Sequence, residues 1–241
     1  MKDILLDLTS HVYDLGFLDA VKITGTDQST IVDAVSEDRN VVLKAKFHTP
    51  VADFVDGLFG MPNLGRLKSI LNLAEYKENA SITISKDANN YFDGLVFTNP
   101  AGDFKNVYRF MTANIVEKQM PTANFRGANY AIEFAPTVAS IMRLKMQASV
   151  HSDNDLFLVK TENNSLKMSF GNHSSHAGDF VFQPNISAVL KHTWAWSVKN
   201  MIPILELAGT KTMKIGDTGV AEVIVDSGLA EYQFILPALS K

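Results

Sequence analysis

Five long cationic side chains lie on predicted helices, outside the apolar stripe of each helix. They are Arg66, Lys68, Arg143, Lys145 and Lys199. Arg and Lys bind phosphate oxygens, and phosphate contacts give affinity for nucleic acid without selecting a base sequence. A sparse set of such cations therefore indicates sequence-independent contact with a phosphate backbone. Taken singly, each of them fits a solvated surface charge better.

Motifs for catalysis or cofactor binding are missing from the sequence. It has no glycine-rich nucleotide loop, no nucleophile elbow and no HExxH helix, and it has no cysteine to act as ligand or nucleophile. The closest histidine pair, His173 and His176, fits a solvated turn better than a metal site, because no further ligands are evident nearby. We therefore expect no enzymatic activity, no metal and no cofactor.

Two aromatic motifs offer an alternative way to contact nucleic acid, by stacking on bases. One is the run 125–127, Phe-Arg-Gly, and the other is the pair Trp194 and Trp196. The two tryptophans alternate on one predicted strand and so share a face, which favours packing in a core or an interface over base stacking.

Composition limits the possible partners. The net charge of −4 makes the whole molecule repel nucleic acid, so any such contact needs a local cationic surface. Acidic residues interrupt the apolar start of the chain, which excludes a signal peptide. No apolar run approaches the roughly 20 residues that span a bilayer. We expect a cytoplasmic protein that makes no membrane contact.

Four predicted helices must position the cations: 3–15, 63–74, 137–148 and 197–208. The second and fourth are near-copies, since the run 70–74, ILNLA, returns 134 residues later as ILELA at 204–208. Their apolar residues follow the i, i+3, i+4, i+7 spacing of one helix face. On the third helix, Val138, Ile141, Leu144 and Ala148 are predicted to form the buried stripe.

Each helix precedes three strand-like segments, so the chain is predicted to contain four helix-plus-three-strand units, most with a leading strand such as 54–59. They group two and two around an extended connector without clear periodicity. The prediction is an α+β fold of two similar domains, 1–114 and 128–241, joined by a linker at 115–127, with helices on one face of antiparallel sheets.

This organisation resembles that of DNA sliding clamps, and local residues agree. The segment 53–71, which includes GRLKSIL at 65–71, is similar to the approach to the second helix in T-even bacteriophage clamps. The segment SVKNM at 197–201 resembles the start of the fourth helix in proliferating cell nuclear antigen, and YQFILP at 232–237 resembles the last strand of clamps. Two departures stand out: Pro203 lies inside the fourth helix, and the first helix has few cations.

The resemblance implies a head-to-tail homotrimeric ring that encircles duplex DNA and tethers the replicative DNA polymerase, with subunit edges near 105–113 and 177–182. The five cations would contact phosphates. A pocket beneath the linker would receive a peptide of the polymerase or clamp loader, although the same side chains could simply cover a core. The pocket residues are Ile115, Val116, Met120, Leu236 and Pro237.

Two other classes of function stay open. A β-rich viral structural or assembly protein could use duplicated domains and edge strands for packing, without encircling DNA. A hydrolase or lyase with an unrecognised site is disfavoured by the missing motifs. Helix placement separates the first two classes, because a clamp needs its helices on one DNA-facing surface.

Overall fold

The computed structural model describes residues 1–120, 125, 127–171 and 176–239. The chain divides into two compact units. The first comprises Met1–Asn124 with Asp226–Tyr232, and the second comprises Phe125–Val225 with Gln233–Lys241. No helix among the described residues is long and apolar enough to cross a membrane.

Five α-helices are present in the described part of the chain. Their bounds are α1 Lys2–Val12, α2 Leu64–Leu71, α3 Ala113–Gln119, α4 Val138–Val150 and α5 Val198–Glu206. Four of them correspond to the predicted helices. The side chain of Asn63 caps α2 by accepting a hydrogen bond from the Arg66 backbone at 3.1 Å, and Thr137 caps α4 in the same way through Ser140.

Fifteen strands are found in the described residues. In the first unit they are β1 Val21–Gly25, β2 Thr30–Val35, β3 Val42–Phe47, β4 Leu58–Met61, β5 Ser81–Lys86, β6 Phe92–Thr98 and β7 Lys105–Arg109. The later strands are β8 Tyr130–Phe134, β9 Leu156–Glu162, β10 Ser165–Phe170, β11 Gly178–Pro184, β12 Trp194–Ser197, β13 Thr210–Gly216, β14 Val220–Asp226 and β15 Ala230–Pro237.

Each unit contains two antiparallel arrays of strands. In the first unit the orders are β4-β1-β2-β3 and β5-β6-β7. In the second unit they are β15-β14-β13-β8 and β11-β10-β9-β12. The strands β7 and β11 are therefore terminal strands of their sheets, and both overlap the segments where the clamp resemblance places subunit edges.

The segment 226–232 belongs to the first unit because polar contacts hold it there. The Asp7 carboxylate on α1 accepts hydrogen bonds from the Ser227 hydroxyl at 3.0 Å and the Tyr232 hydroxyl at 2.8 Å. The His11 ring stacks on the Tyr232 ring with centroids 4.7 Å apart. Burial alone would raise the pKa of Asp7, but the hydrogen bonds from His11, Tyr232 and Ser227 lower it below its ordinary value.

Three predictions about the elements are wrong. Residues 113–119 of the supposed extended stretch form helix α3, because Val116 packs its side chain fully buried against Gly60. Residues 52–54 form a single 3-10 turn, and strand β4 begins only at Leu58. Val138 is 79% exposed and does not belong to the buried stripe of α4.

Candidate nucleic-acid interface

Helix α2 exposes Arg66 because its other face is buried. Leu64, Leu67, Ile70 and Leu71 are the buried residues of this helix. Their spacing turns Arg66 to solvent, and the guanidinium has no acidic partner among the described residues. The burial of each large aliphatic side chain contributes roughly 1.5–3 kcal/mol, so packing of the stripe fixes the direction of Arg66.

Helix α5 repeats this arrangement in the second unit. Met201, Ile204 and Leu205 are buried and correspond to Leu67, Ile70 and Leu71, as the sequence echo predicts. Lys199, near the first turn, is exposed. The last residue of each echo, Ala74 and Ala208, is exposed beyond the helix end, so the shared stripe is one residue shorter than predicted.

Helix α4 carries a single exposed arginine. Ser140, Ile141 and Leu144 are its buried residues, which leaves Arg143 on the exposed side. Within the described residues no acid pairs with Arg143. Arg66, Arg143 and Lys199 are thus exposed on three helices, and their contact with phosphate stays a prediction.

The two remaining predicted cations are engaged in ion pairs. Lys68 on α2 binds Asp14, which follows α1, and Lys145 on α4 binds Glu206 on α5. Each pair joins two helical segments of the same unit, and in each the side chains are roughly 40% exposed. Pairing offsets the positive charge of both lysines, so their ability to attract phosphate is smaller than that of Arg66 and Arg143.

Sequence analysis missed an apolar stripe on the exposed side of α4. Val138, Met142, Met146 and Val150 recur every four residues and are 79%, 44%, 61% and 77% exposed. Such i, i+4 spacing places them in one row along the helix. The signal was available, because α4 contains two apolar rows and only one of them can face the core.

The predicted partner pocket divides between the two units. In the first unit Ile115 is 42% exposed, Val116 is fully buried under α3, and Met120 lines a cleft. In the second unit Leu236 is 2% exposed and its carbonyl accepts a hydrogen bond from Trp196 Nε1 at 3.1 Å, whereas Pro237 is exposed. Val116 and Leu236 are therefore core residues, each of its own unit, and the pocket itself stays a prediction.

The cleft that Met120 lines has a volume of about 730 Å³ and belongs to the first unit. Its walls are the connection from α1 to β1, the end of β2 and the carboxyl end of α3. The lining residues are Tyr13, Asp14, Gly16, Phe17, Leu18, Asp19, Ala20, Val35, Glu37, Met111, Gln119 and Met120. Sequence analysis identified only Met120, because the other walls are brought together by tertiary structure.

The aromatic and histidine motifs give no evidence for base stacking or metal binding. Trp196 is 1% exposed and belongs to the core, as predicted. Arg126 and His173 lie outside the described residues. No group of three or more metal-ligating side chains occurs among those that the structure does describe.

No protein-family model matches this sequence, and no curated protein matches it. Solved structures of PCNA nevertheless match nearly the full chain. An A. fulgidus PCNA bound to the C-terminal region of FEN-1 is 10% identical with a TM-score of 0.72, covering 100% of this chain and 97% of that one. PCNA from Thermococcus kodakaraensis is 13% identical with a TM-score of 0.68, covering 99% and 97%.

A PCNA2–PCNA3 complex from Sulfolobus tokodaii is also similar, with 10% identity, a TM-score of 0.64 and coverage of 98% and 97%. Identities this low establish the fold alone. The chain has the α+β fold of PCNA-type sliding clamps, which confirms the predicted fold class.

Proposed function

We propose that this protein is a sliding clamp that encircles duplex DNA as a ring and tethers the replicative DNA polymerase for processive synthesis. The observation that carries the proposal is a clamp fold over the full chain in which exposed helix faces hold Arg66, Arg143 and Lys199. The proposed activity is binding, with no reaction and no cofactor. The bacteriophage type and a location in the host cytoplasm remain part of the proposal, and they rest on the resemblance at 53–71.

Weak phosphate contacts suffice for such a protein, because a closed ring holds DNA topologically. Three exposed cations per subunit supply a modest electrostatic attraction that is independent of base sequence. Lys68 and Lys145 are included in the proposed contact set, but each must exchange its carboxylate partner for a phosphate. We therefore assign them a smaller contribution than Arg66 and Arg143.

The DNA-contacting residues are tested by a triple charge reversal, R66E/R143E/K199E. We expect retention on circular DNA and polymerase processivity to fall by about tenfold or more, since each reversal removes an attraction and adds a repulsion. The matched control is K46E/K77E/K191E, which makes the same charge change at exposed lysines outside the helices. Equal loss in the control, or full retention in the triple variant, overturns the assignment.

The ring is proposed to be a homotrimer closed by β7 of one subunit and β11 of the next, because both are terminal strands with unpaired backbone groups. They carry exposed side chains of opposite charge, although Asp179 already lies 3.8 Å from Lys167 of the same sheet. Exposed Lys105 and Val107 lie on β7, and Asp179, with its side chain 64% exposed, lies on β11. Beside the start of β11, Val150 of α4 adds an apolar surface next to Ala177 and Gly178.

The subunit contact is tested by V150E, with V138E as its control. Both valines lie on α4, at 77% and 79% exposure, but only Val150 lines the surface beside β11. We expect V150E to dissociate the trimer without lowering the stability of the subunit, while V138E keeps the trimer mass. Light scattering over a range of concentrations measures the mass of V150E. If V150E is as fully trimeric as the wild-type protein at every concentration, this interface is wrong.

The polymerase and the clamp loader are proposed to bind through a peptide at Ile115, Val116, Met120, Leu236 and Pro237. Ile115 and Pro237 are the exposed apolar members of this set, whereas Val116 and Leu236 are buried in their own units. Ile115→Glu tests the pocket at an exposed position. It should abolish binding of the polymerase carboxyl-terminal peptide while the ring mass stays unchanged, whereas undisturbed binding removes Ile115 from the site.

A further inference from the structure

The strand β5 has an open outer edge in the first unit. In the second unit, β13 is the first strand after helix α5, and it lies between β14 and β8. In the first unit, β5 is the first strand after helix α2, but among the described strands only β6 lies beside it. The backbone N–H and C=O groups on the outer side of β5 are therefore available to pair with another strand.

Two apolar side chains of β5 are left partly uncovered at this edge. Ile82 and Ile84 are paired in register with Phe97 and Leu95 of β6, so all four lie on the same face of the sheet. Phe97 and Leu95 are fully buried, whereas the two isoleucines are only half-buried. The core of this sheet is thus complete under β6 and incomplete under β5.

The second unit shows how an added strand completes such a core. The strand β8 pairs antiparallel with β13 and places Ile132 opposite Ile215. Ile215 and its neighbour on the same face of β13, Met213, are both fully buried. A strand added to β5 in the same way would cover the two half-buried isoleucines.

The sequence of β5 does not protect the edge from pairing. Residues 81–85, Ser-Ile-Thr-Ile-Ser, contain no charge and no proline, the residue types that usually keep edge strands apart. The terminal strands β7 and β11 differ, since β7 has Lys105 and Arg109 at its ends and β11 contains Asp179 and Pro184. Pairing with a second strand is therefore easier at β5 than at either of these edges.

The other terminal strands are charged or already bonded. Glu133 lies on β8. The strand β4 also lacks charge, but its Gly60 exchanges backbone hydrogen bonds with Met111. In the uncharged strand β12, the Ala195 carbonyl accepts a hydrogen bond from the Leu239 backbone at 2.9 Å. Among the terminal strands that the structure describes, β5 combines an uncharged sequence with an open edge.

Both ends of β5 are held in place. The Ser85 hydroxyl donates to the Asp93 carboxylate on β6, which also binds the Arg109 guanidinium on β7. Before the start of β5, the Lys2 ammonium donates to the Lys77 carbonyl at 2.7 Å. Little of the strand must be ordered when a second strand pairs with it, which lowers the entropic cost of association.

The run 81–85 reads the same in both directions. If two copies pair antiparallel about a two-fold axis at Thr83, Ser81 of one copy lies opposite Ser85 of the other. The same register places Ile82 opposite Ile84. Apolar side chains then meet on one face and hydroxyl groups on the other, and no like charges face each other within the run.

We infer that two copies of this protein pair edge to edge through β5, antiparallel and centred on Thr83. The contact joins two three-stranded sheets into one continuous sheet. It uses neither β7 nor β11, so it is independent of the proposed ring and would link two single subunits or two rings alike. One short strand buries less than the roughly 1,200 Å² of stable complexes, so we expect a Kd on the order of 100 µM.

Disulfide trapping tests the register, because the chain has no cysteine of its own. Opposite Cα atoms in an antiparallel pair lie about 4.5–5.5 Å apart, within the range that a disulfide spans. S81C is the matched control: Ser81 and Thr83 are exposed on the same face, but two copies of Ser81 would lie about 13 Å apart. In a glutathione redox buffer, T83C should form at least about tenfold more disulfide-linked dimer than S81C.

Charge at position 83 tests the contact without a covalent bond. Analytical ultracentrifugation of the wild-type protein should show the mass doubling as the concentration rises through about 100 µM. T83K and T83E should each weaken this association at least about threefold, because like charges lie opposite at the axis, and mixing the two variants should restore it. T218K adds the same charge at an exposed threonine in the turn after β13 and should have no effect.

Four results would overturn the inference: equal trapping of T83C and S81C, association that T83K leaves unchanged, no recovery on mixing T83K with T83E, and no doubling of mass up to about 1 mM. A fluorescein-labelled peptide copying residues 130–134 of β8 is the probe for a foreign strand. If it binds the wild-type protein but not T83K, while the protein itself does not associate, the edge accepts a foreign strand and the pairing of copies is wrong.

Failure of this inference can be told apart from failure of the clamp proposal. T83K is expected to keep wild-type retention on circular DNA, since β5 lies outside the proposed DNA-contacting and subunit surfaces. Pairing through β5 by a protein that forms no ring supports the inference and overturns the clamp. A ring whose mass never doubles overturns the pairing alone.

Discussion

The two units bury the same helix stripe but distribute charge in opposite ways. In the first unit the strand register aligns Lys22, Asp33 and Lys44 across β1, β2 and β3, a cation–acid–cation row. In the second unit Lys214 lies 3.9 Å from both Glu133 and Glu222, an acid–cation–acid group on β8, β13 and β14. Packing thus constrains the buried faces, whereas the polar faces of the two units have diverged.

The helices show the same division. Helices α2 and α5 agree at three buried positions, whereas the exposed surface of α1 carries Asp3 and that of α4 carries a row of Val and Met. Surface positions tolerate such change because substitutions there usually alter stability by less than about 0.5 kcal/mol. Because the surfaces differ, DNA contact, subunit contact and partner contact need not be shared equally by the two units.

The largest expected effect concerns the buried apolar helix stripe that both units contain. Leu71→Ala in α2 and Leu205→Ala in α5 each remove a side chain that is 2% or 1% exposed. Each should lower the free energy of unfolding by roughly 2–5 kcal/mol, because a cavity replaces buried apolar surface. Urea unfolding provides the measurement, and Leu73→Ala, at 37% exposure, is the control. A small effect at only one of the two leucines would break the equivalence of the helices.

The second largest effect should distinguish the buried charged group of the second unit from the more exposed charged row of the first unit. Glu222 is 2% exposed and accepts a hydrogen bond from the Tyr130 hydroxyl, with Lys214 as its nearby cation. Lys214→Met should cost roughly 1–3 kcal/mol, since it leaves a buried carboxylate without its counter-charge. Lys44→Met, beside the less buried Asp33, should cost less than about 1 kcal/mol. Equal costs in urea unfolding would mean that burial does not distinguish the two groups.

Acid should affect the first unit through Asp7. Its lowered pKa means that the folded state holds the ionised carboxylate more strongly than the unfolded state does. The stabilisation is complete above the ordinary value of 3.8 and is lost as pH falls through the lower, folded pKa. Asp7→Asn should therefore cost about 1–3 kcal/mol near neutral pH and much less in strong acid.

Unfolding of Asp7→Asn is compared with that of Asp3→Asn, an exposed acid on the same helix. An Asp7→Asn cost that stays constant down to strong acid would show that the carboxylate charge does not stabilise the segment 226–232.

The smallest expected effect concerns the two inter-helix ion pairs. Double-mutant cycles of Lys68 with Asp14 and of Lys145 with Glu206 should give coupling energies below about 1 kcal/mol in both units, because the side chains are solvent-exposed and screened. High salt should reduce both. A coupling above about 2 kcal/mol in one unit would show that its helices depend on the ion pair for their packing.

Local periodicity predicted the four principal helices, the cap of α2 at Asn63, and most strands, because these depend on residues close in sequence. It placed Arg66, Arg143 and Lys199 on exposed faces for the same reason. Local periodicity did not predict helix α3 or the two inter-helix ion pairs, because these depend on contacts between residues distant in sequence. The packing of Val116 on Gly60 stabilises α3, and tertiary contacts place Asp14 and Glu206 beside the lysines.

The choice between two apolar rows on α4 could not be made locally either. Val138 and Ile141 are both apolar, and only the packed structure shows that Ile141 is buried and Val138 exposed. The cleft of the first unit was invisible for the same reason, since its walls come from three separate segments.

The central claim, a ring that encircles DNA, is tested most directly by one binding experiment on protein of known solution mass. The wild-type protein is loaded on circular and on linear duplex DNA of the same length, and the retained fraction is measured after a high-salt wash. The account predicts a trimer mass at micromolar concentration and retention on circular DNA alone. A subunit mass at every concentration, with no difference between the two DNA forms, would contradict the clamp and favour a structural or assembly role.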